Sequence, residues 1–273
     1  MKFRTYHEVT GDDASQLGAQ VASQRGRVAK RLETVRRVVA VVSGKGGVGK
    51  SHVTAALALG ASRHRGAAVG VLDADLESPT VAGMLGAAGP VVATENAIQP
   101  VVGREGVRVF STDLLLDEGR PLQWRDRGTD RFVWRGTLEA GALREFLADV
   151  AWGSLDLLLV DLPPGGHRLE DLAELVPGLE VIGVTIPSEE SRRSVQRCLR
   201  MARDRGLPIL GVIENMSGYR CAGCDAVGPL FEGDAGAALA AVFDVPLLAR
   251  LPFHPGQGPD ADAGALASVT PSA

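Results

Sequence analysis

Aromatic residues make up only 4% of this 273-residue chain, and cysteine occurs three times. So sparse and odd a count excludes the disulfide framework of a small secreted domain. It fits a reducing cytoplasm, where a close cysteine pair more often binds metal. Neither sign of charge dominates. Lys plus Arg number 29 and Asp plus Glu 33, a net charge of −4, so nothing global points to nucleic acid or an anionic membrane. Long hydrophobic runs are missing as well. The longest are strand-sized, such as VVAVV at Val38–Val42, and none is long enough to span a bilayer as a helix. The opening MKFRTYHEVTGDDAS has neither an apolar core nor a signal-like cleavage site. There is no internal repeat. The chain reads as cytoplasmic, with no nucleic-acid and no membrane partner.

What the chain does have is alternation. Val38–Val42, Ala68–Leu72, Val107–Phe110, Leu157–Val160, Val181–Ile186, Ile209–Ile213 and Pro246–Leu251 read as strands. Most are apolar throughout, as when helices cover both faces of a parallel sheet. Between them, Leu143, Phe146, Leu147 and Val150 follow helical spacing, as do Val195, Cys198, Leu199 and Ala202. The pattern predicts an α/β fold, a doubly wound and mostly parallel sheet flanked by helices in a single domain. Residues 1–36 read as an N-terminal helical extension. Its partial stripe is Leu17, Val21, Val28, Leu32 and Val35, and its basic face includes Arg25, Arg27, Lys30 and Arg31. That face is read as a solvated surface of a helix packed on the domain. The main domain covers 37–256, and 257–273 reads as a loop or frayed tail.

The chemistry centres on SGKGGVGKS, Ser43 to Ser51. From Gly44 to Ser51 it fits the phosphate-loop pattern G-x-x-x-x-G-K-[ST]. A strand feeds it and a helix starting near Lys50 follows, so the N–H groups of Gly46, Gly47, Val48, Gly49, Lys50 and Ser51 can turn toward phosphate. With Gly44, Lys45 and His52 these form the candidate nucleotide site. The Ser51 hydroxyl is a candidate Mg²⁺ ligand. LLLVDLPPG ends a buried strand on Asp161, the position of a carboxylate that serves Mg²⁺. VLDADLESPT ends another on Asp73 and Asp75. Ligands of open α/β sheets bind beyond the carboxyl ends of strands, so these acids should meet in one crevice. His167, in PPGGH, reads as a loop residue. An N-K-x-D guanine motif is lacking, which favours ATP over GTP.

ENMSGYRCAGC, Glu214 to Cys224, follows a further strand. Cys221 and Cys224 have the C-x-x-C spacing with which two thiolates reach one metal ion or cluster. Loop-like flanks argue against a thioredoxin-type pair. Two cysteines are half of a four-ligand site, and Cys198 lies on an apolar helix stripe and reads as core.

With these motifs in hand, the chain resembles the Mrp/ApbC family of iron–sulfur cluster carrier ATPases, within the MinD/ParA/nitrogenase-iron-protein class of deviant phosphate-loop NTPases. The resemblance runs from about Val38 to about Pro255. It is carried by SGKGGVGKS, DADLESPT, WRGTLEAGALREFLADVAWGSLDLLLVDLPPG and ENMSGYRCAGC. It implies that Lys50 and Ser51 bind phosphate and Mg²⁺, with Asp161 as the acidic partner of the metal. It implies that Lys45 reaches the nucleotide of the opposite subunit, that Asp75 positions the attacking water, and that Asn215 reads adenine. Cys221 and Cys224 of two subunits would bridge one iron–sulfur cluster, of the 4Fe–4S type, in a homodimer that serves apo iron–sulfur recipients or assembly factors. The chain departs from the family at Gly166, His167 and Arg168, where Thr-Gly-Asp is usual, and at Thr137, where proline is usual. It also ends soon after LPFHP, where relatives commonly continue into a last helix. The leading expectation is a homodimeric, slowly hydrolysing ATPase that carries or scaffolds a cluster. The alternatives are a ParA/MinD-like switch that binds a protein partner, and a dimer clamped by zinc at the same cysteines.

Overall fold

The computed structural model describes residues 17–94, 97–115 and 131–269. Side chains within 17–22 and 131–139 lie outside that description, and with them Leu17, Val21, the WRG stretch and Thr137.

Strand β1 (Val38–Val42) is buried at every residue. Val39 and Val41 enter one apolar cluster, and Val38, Ala40 and Val42 enter another. Successive strand residues face opposite sides, so a strand covered on both faces carries no polar face. That is why VVAVV is unbroken. The same burial holds for β2 (Val69–Asp73) and β5 (Leu157–Asp161).

The sheet is completed by β3 (Val101–Val102), β4 (Arg108–Phe110), β6 (Glu180–Thr185), β7 (Ile209–Arg220), β8 (Val227–Gly228) and β9 (Leu247–Phe253). Its order is β3-β4-β2-β5-β1-β6-β7-β8, with β9 also on β7. The β3–β4 and β7–β8 pairs are antiparallel, and the remaining pairs are parallel. Each strand expected from the sequence is present. The main difference is β7, which runs on from Ile213 to Arg220 and carries the chain up to Cys221.

Helices fill both faces. α2 (Lys50–Arg65), α3 (Val81–Met84) and α8 (Asp260–Leu266) pack on one side. α1 (Leu17–Leu32), α4 (Arg131–Asp149), α5 (His167–Leu175), α6 (Glu189–Asp204) and α7 (Ala235–Phe243) pack on the other. The sheet is therefore doubly wound. The basic face of α1 stays solvated, with Arg25 and Arg27 about half exposed, and is tied to the domain at three points. Arg25 pairs with Glu174 and Arg27 with Asp149, each at 2.9 Å, and Arg31 Nε donates to the Ala148 carbonyl. Among the described residues no helix is long and apolar enough to cross a membrane.

Two sequence expectations are corrected. His167 is not a loop residue, since it opens α5. Nor is the segment 257–273 a loop or frayed tail as far as Val269: Asp260–Leu266 forms α8, and Asp262, Ala263, Leu266 and Val269 are buried, while 270–273 lie outside the described residues. The helix lies where relatives were expected to have one and this chain was not. Its small residues give no apolar stripe to read. It seats because α2 carries Gly60 opposite it. A Cβ at Gly60 would stand 2.5 Å from the Ala263 carbonyl oxygen, so any side chain there would force the two helices apart.

Candidate functional site

Register brings the site together. Asp161, which ends β5, is the register partner of Val41 on β1 and of Asp73, which ends β2. The loop leaving β1 and both acidic strand ends thus share one edge of the sheet.

The loop is shaped by its glycines. Gly47 and Gly49 have φ of 80° and 75°, the left-handed region that glycine adopts without strain. Gly49 is also needed for space, because a Cβ there would lie 2.2 Å from Asn215 Nδ2. The loop bounds a cavity of about 370 Å³, lined by Lys45 through His52 and, across from them, by Asp75, Ser78, Thr80 and Pro164. That volume is in the range of small-molecule sites.

The two loop lysines differ sharply. Lys50 is 6% exposed, and its ammonium lies 2.8 Å from Asp161. The side chain of Lys45 is half-buried on the cavity wall, and no hydrogen bond or ion pair of its ammonium is found among the described residues. Lys50 is ion-paired within its own chain, whereas Lys45 has no such partner among the described residues.

Asp161 is fully buried and accepts from three side chains. Ser51 Oγ and Thr54 Oγ1 each donate at 2.7 Å, and Lys50 completes the set. Thr54 was not singled out from sequence. Its signal was its spacing, one helical turn after Lys50 and hence on the same face. Oxygen donors from a hydroxyl and a carboxylate suit Mg²⁺, so Ser51 and Asp161 fit that ion.

Asp73 and Asp75 divide their work. Asp73 is buried and holds the loop that follows β2. Its carboxylate accepts N–H groups from Asp75 at 3.2 Å, Thr80 at 3.0 Å and Val81 at 3.1 Å, and the Ser111 hydroxyl at 3.2 Å. Burial first, and then repulsion from Asp161, push its pKa up to about 7 from 3.8. Asp75 lines the cavity and accepts from the Ser78 N–H at 3.2 Å. Of the two, only Asp75 lines the cavity, while Asp73 sets the loop that presents it.

Asn215 is 5% exposed, and its Nδ2 donates to the Val48 carbonyl at 2.9 Å. It stands beneath the phosphate loop rather than on the cavity wall. His52 lines the cavity with its Nε2 2.8 Å from Asp262 of α8. Asp262 was invisible to sequence reasoning, because it lies 210 positions from His52 in a stretch without pattern.

The cysteine pair sits at the tip of the β7–β8 hairpin. The Cys221 N–H bonds to the Ala226 carbonyl and the Asp225 N–H to the Cys221 carbonyl, both at 2.9 Å, which closes a tight turn. Asp225 takes the left-handed φ of 57°. The backbone N–H groups of Gly223 and Cys224, and then the Cys224 thiol, bring the Cys221 thiol below its usual pKa. Donors aimed at a sulfur favour its thiolate form, the form that binds metal. Cys224 is exposed, while Cys198 is 3% exposed and burial raises its pKa. Among the described residues no group of three or more His, Cys, Asp or Glu could hold a metal, so the pair remains half of a site. Exposed apolar residues flank it: Tyr219, Val227, Leu230, Phe231 and Phe253, with Val227 53% exposed. Tyr219 and Phe253 stack, with ring centroids 6.4 Å apart.

Comparison with known proteins gives the family. A family described as ParA, the NUBPL iron-transfer P-loop NTPases, matches residues 34–272. An iron–sulfur cluster carrier protein of Saccharolobus solfataricus is 38% identical over 92% of this chain and 83% of its own length. The human cytosolic Fe-S cluster assembly factor NUBP2 is also 38% identical, over 82% of each chain. Among solved structures, a nucleotide-binding protein of Archaeoglobus fulgidus in complex with ADP superposes with a TM-score of 0.69 at 30% identity, covering 88% of this chain and 92% of that one. Phosphate loop, acidic strand ends and overall match lead to one assignment: the chain belongs to the ParA/NUBPL family of iron-transfer P-loop NTPases.

Proposed function

We propose that the chain is an ATP-binding, slowly hydrolysing carrier of iron–sulfur clusters that works as a homodimer. The observation that carries this reading is the cysteine hairpin. Its sulfur-directed N–H groups, exposed second thiol and apolar surroundings fit a metal half-site that is completed by a second copy. Cys221 and Cys224 of each subunit would then supply four thiolates to a cluster of the 4Fe–4S type, which is cargo for apo recipient proteins. The names of the relatives point the same way.

At the other site, the loop N–H groups and Lys50 would receive the β- and γ-phosphates, and Ser51 and Asp161 would hold Mg²⁺, which would spread phosphate charge. Asp75 accepts a hydrogen bond from the attacking water and orients it, held in place through the Asp73 clamp. Lys45 of the opposite subunit meets the charge that develops on the leaving group. Turnover is slow because each site lacks that second lysine until two subunits meet. Two ligands bias one dimer interface, which is the form a coupling argument requires.

The test is anaerobic reconstitution with iron and sulfide, followed by visible absorption, iron and zinc analysis, and mass in solution. Cluster absorption in a dimer, lost in Cys221→Ser, is the expected result. Stoichiometric zinc that iron and sulfide do not displace would instead favour the zinc-clamped dimer. Iron retained without Cys221 and Cys224 would sink both readings.

A further inference from the structure

His52 directly follows the phosphate-loop serine and lines the cavity, yet its ring is claimed from behind. Its Nε2 lies 2.8 Å from Asp262 Oδ2, and the second oxygen of Asp262 lies 3.7 Å from His254 Nε2. Asp262 is 4% exposed. A carboxylate accepts and does not donate, so it selects the tautomer with hydrogen on His52 Nε2 and fixes the plane of the ring. A buried carboxylate behind a histidine that faces a ligand is a recurring way to orient the ring.

We propose that Asp262 is a positioning residue for the nucleotide site and acts through His52. The proposal rests on the reading of this cavity as the seat of a nucleoside phosphate. It assigns the chain's last described helix a part in holding the substrate. The geometry allows that part to be separated from the packing of α8. The helix has independent anchors: Asp260 pairs with Arg63 at 2.7 Å and with Arg104, and Ala263 rests on Gly60. Asp262 is therefore not needed merely to keep α8 in place. Its oxygens go to the two histidines, and one of these is on the wall of the cavity.

The test is calorimetric titration of the full-length chain with ADP and Mg²⁺, alongside thermal melting. With Nε2–H held by Asp262, the other ring nitrogen can only accept, as from a nucleotide hydroxyl or a bound water. Asp262→Asn should weaken ADP binding about fivefold, the scale of one neutral hydrogen bond. His52→Ala should weaken it similarly. Adding Asp262→Asn to His52→Ala should then change affinity by less than about twofold, since coupled residues are not additive. Asp260→Ser should lower Tm and leave ADP affinity within about twofold of wild type. Imidazole nitrogen NMR should show a single His52 tautomer that becomes mixed in Asp262→Asn. Wild-type affinity in Asp262→Asn, or an equal loss with and without His52, would overturn the proposal. Lys50→Ala keeps the two readings apart. If it binds ADP normally, the cavity is not the nucleotide site. If it abolishes binding while Asp262→Asn does nothing, the role of Asp262 alone is wrong.

Discussion

Asn215 on β7 donates Nδ2 to the Val48 carbonyl at 2.9 Å, and so supports the phosphate loop from below, a few residues before the strand reaches Cys221. The family resemblance casts this residue as a reader of adenine. The observed contact supports the loop itself, and the two roles predict different losses. Asn215→Ala should weaken ADP and inorganic triphosphate alike, by roughly tenfold for one lost buried hydrogen bond. A loss confined to adenine nucleotides would make base reading its main role.

The two lysines should fail in different ways. Lys50→Ala should abolish nucleotide binding, because it removes the buried loop ammonium that the phosphates would meet. Lys45→Ala should bind ATP as a monomer and lose both ATP-dependent dimerisation and most hydrolysis. Mixing Lys45→Ala with Asp75→Ala subunits restores one site that has its own Asp75 and the partner's Lys45. Partial recovery of turnover in a verified mixed dimer is expected, and complete inactivity would argue against action in trans.

Cysteine substitutions should divide by position. Cys221→Ser and Cys224→Ser should each lose bound iron and keep ADP affinity, since the hairpin is remote from the phosphate loop. Cys198→Ser should keep the iron, because its thiol is buried in the core. Metal analysis beside calorimetry reads both outcomes.

Asp73 gives the protein a pH dependence with a definite sign. Its folded pKa of about 7 exceeds the 3.8 of an ordinary aspartate. The folded state then holds the proton more tightly than the unfolded chain. The stability this contributes is full below about pH 4 and is lost as pH rises toward and through about 7, on the order of a few kcal/mol. In urea titrations without nucleotide, wild type should lose ground against Asp73→Asn across that window. A constant difference between the two would show that Asp73 does not titrate there.

The parts of this fold legible in sequence were those with local signals. VVAVV and LLLVD are unbroken because helices cover both faces, and the glycine loop announces itself between a strand and a helix. What escaped depended on distant neighbours. DADAGAL has no stripe, and it becomes a helix because Gly60 leaves room for its backbone. SGYR looks like a loop by composition, yet it continues β7 because β8 and β9 pair with it. Residue type alone does not divide the two acids of DAD, and the family resemblance singles out Asp75; burial and hydrogen bonds are what give Asp73 its loop-holding part.

That β7 serves both sites sets the range over which they can influence each other. Fully extended at about 3.3 Å per residue, the strand from Asn215 to Cys221 would span roughly 20 Å, and the bulge that sets Asn215–Tyr219 opposite only Leu251–Phe253 brings the two sites closer than that. Solvent ions screen exposed charges beyond about 8 Å at physiological salt. A bound triphosphate would therefore be only weakly felt at the exposed cysteine tip, and the charge of a proposed cluster only weakly at the phosphates. If the sites are coupled, the route the structure offers is displacement of the strand and of the loop it supports. Salt should accordingly leave the dependence of cluster binding on nucleotide almost untouched, while stiffening or kinking β7 near Met216, whose φ is 53°, should alter it.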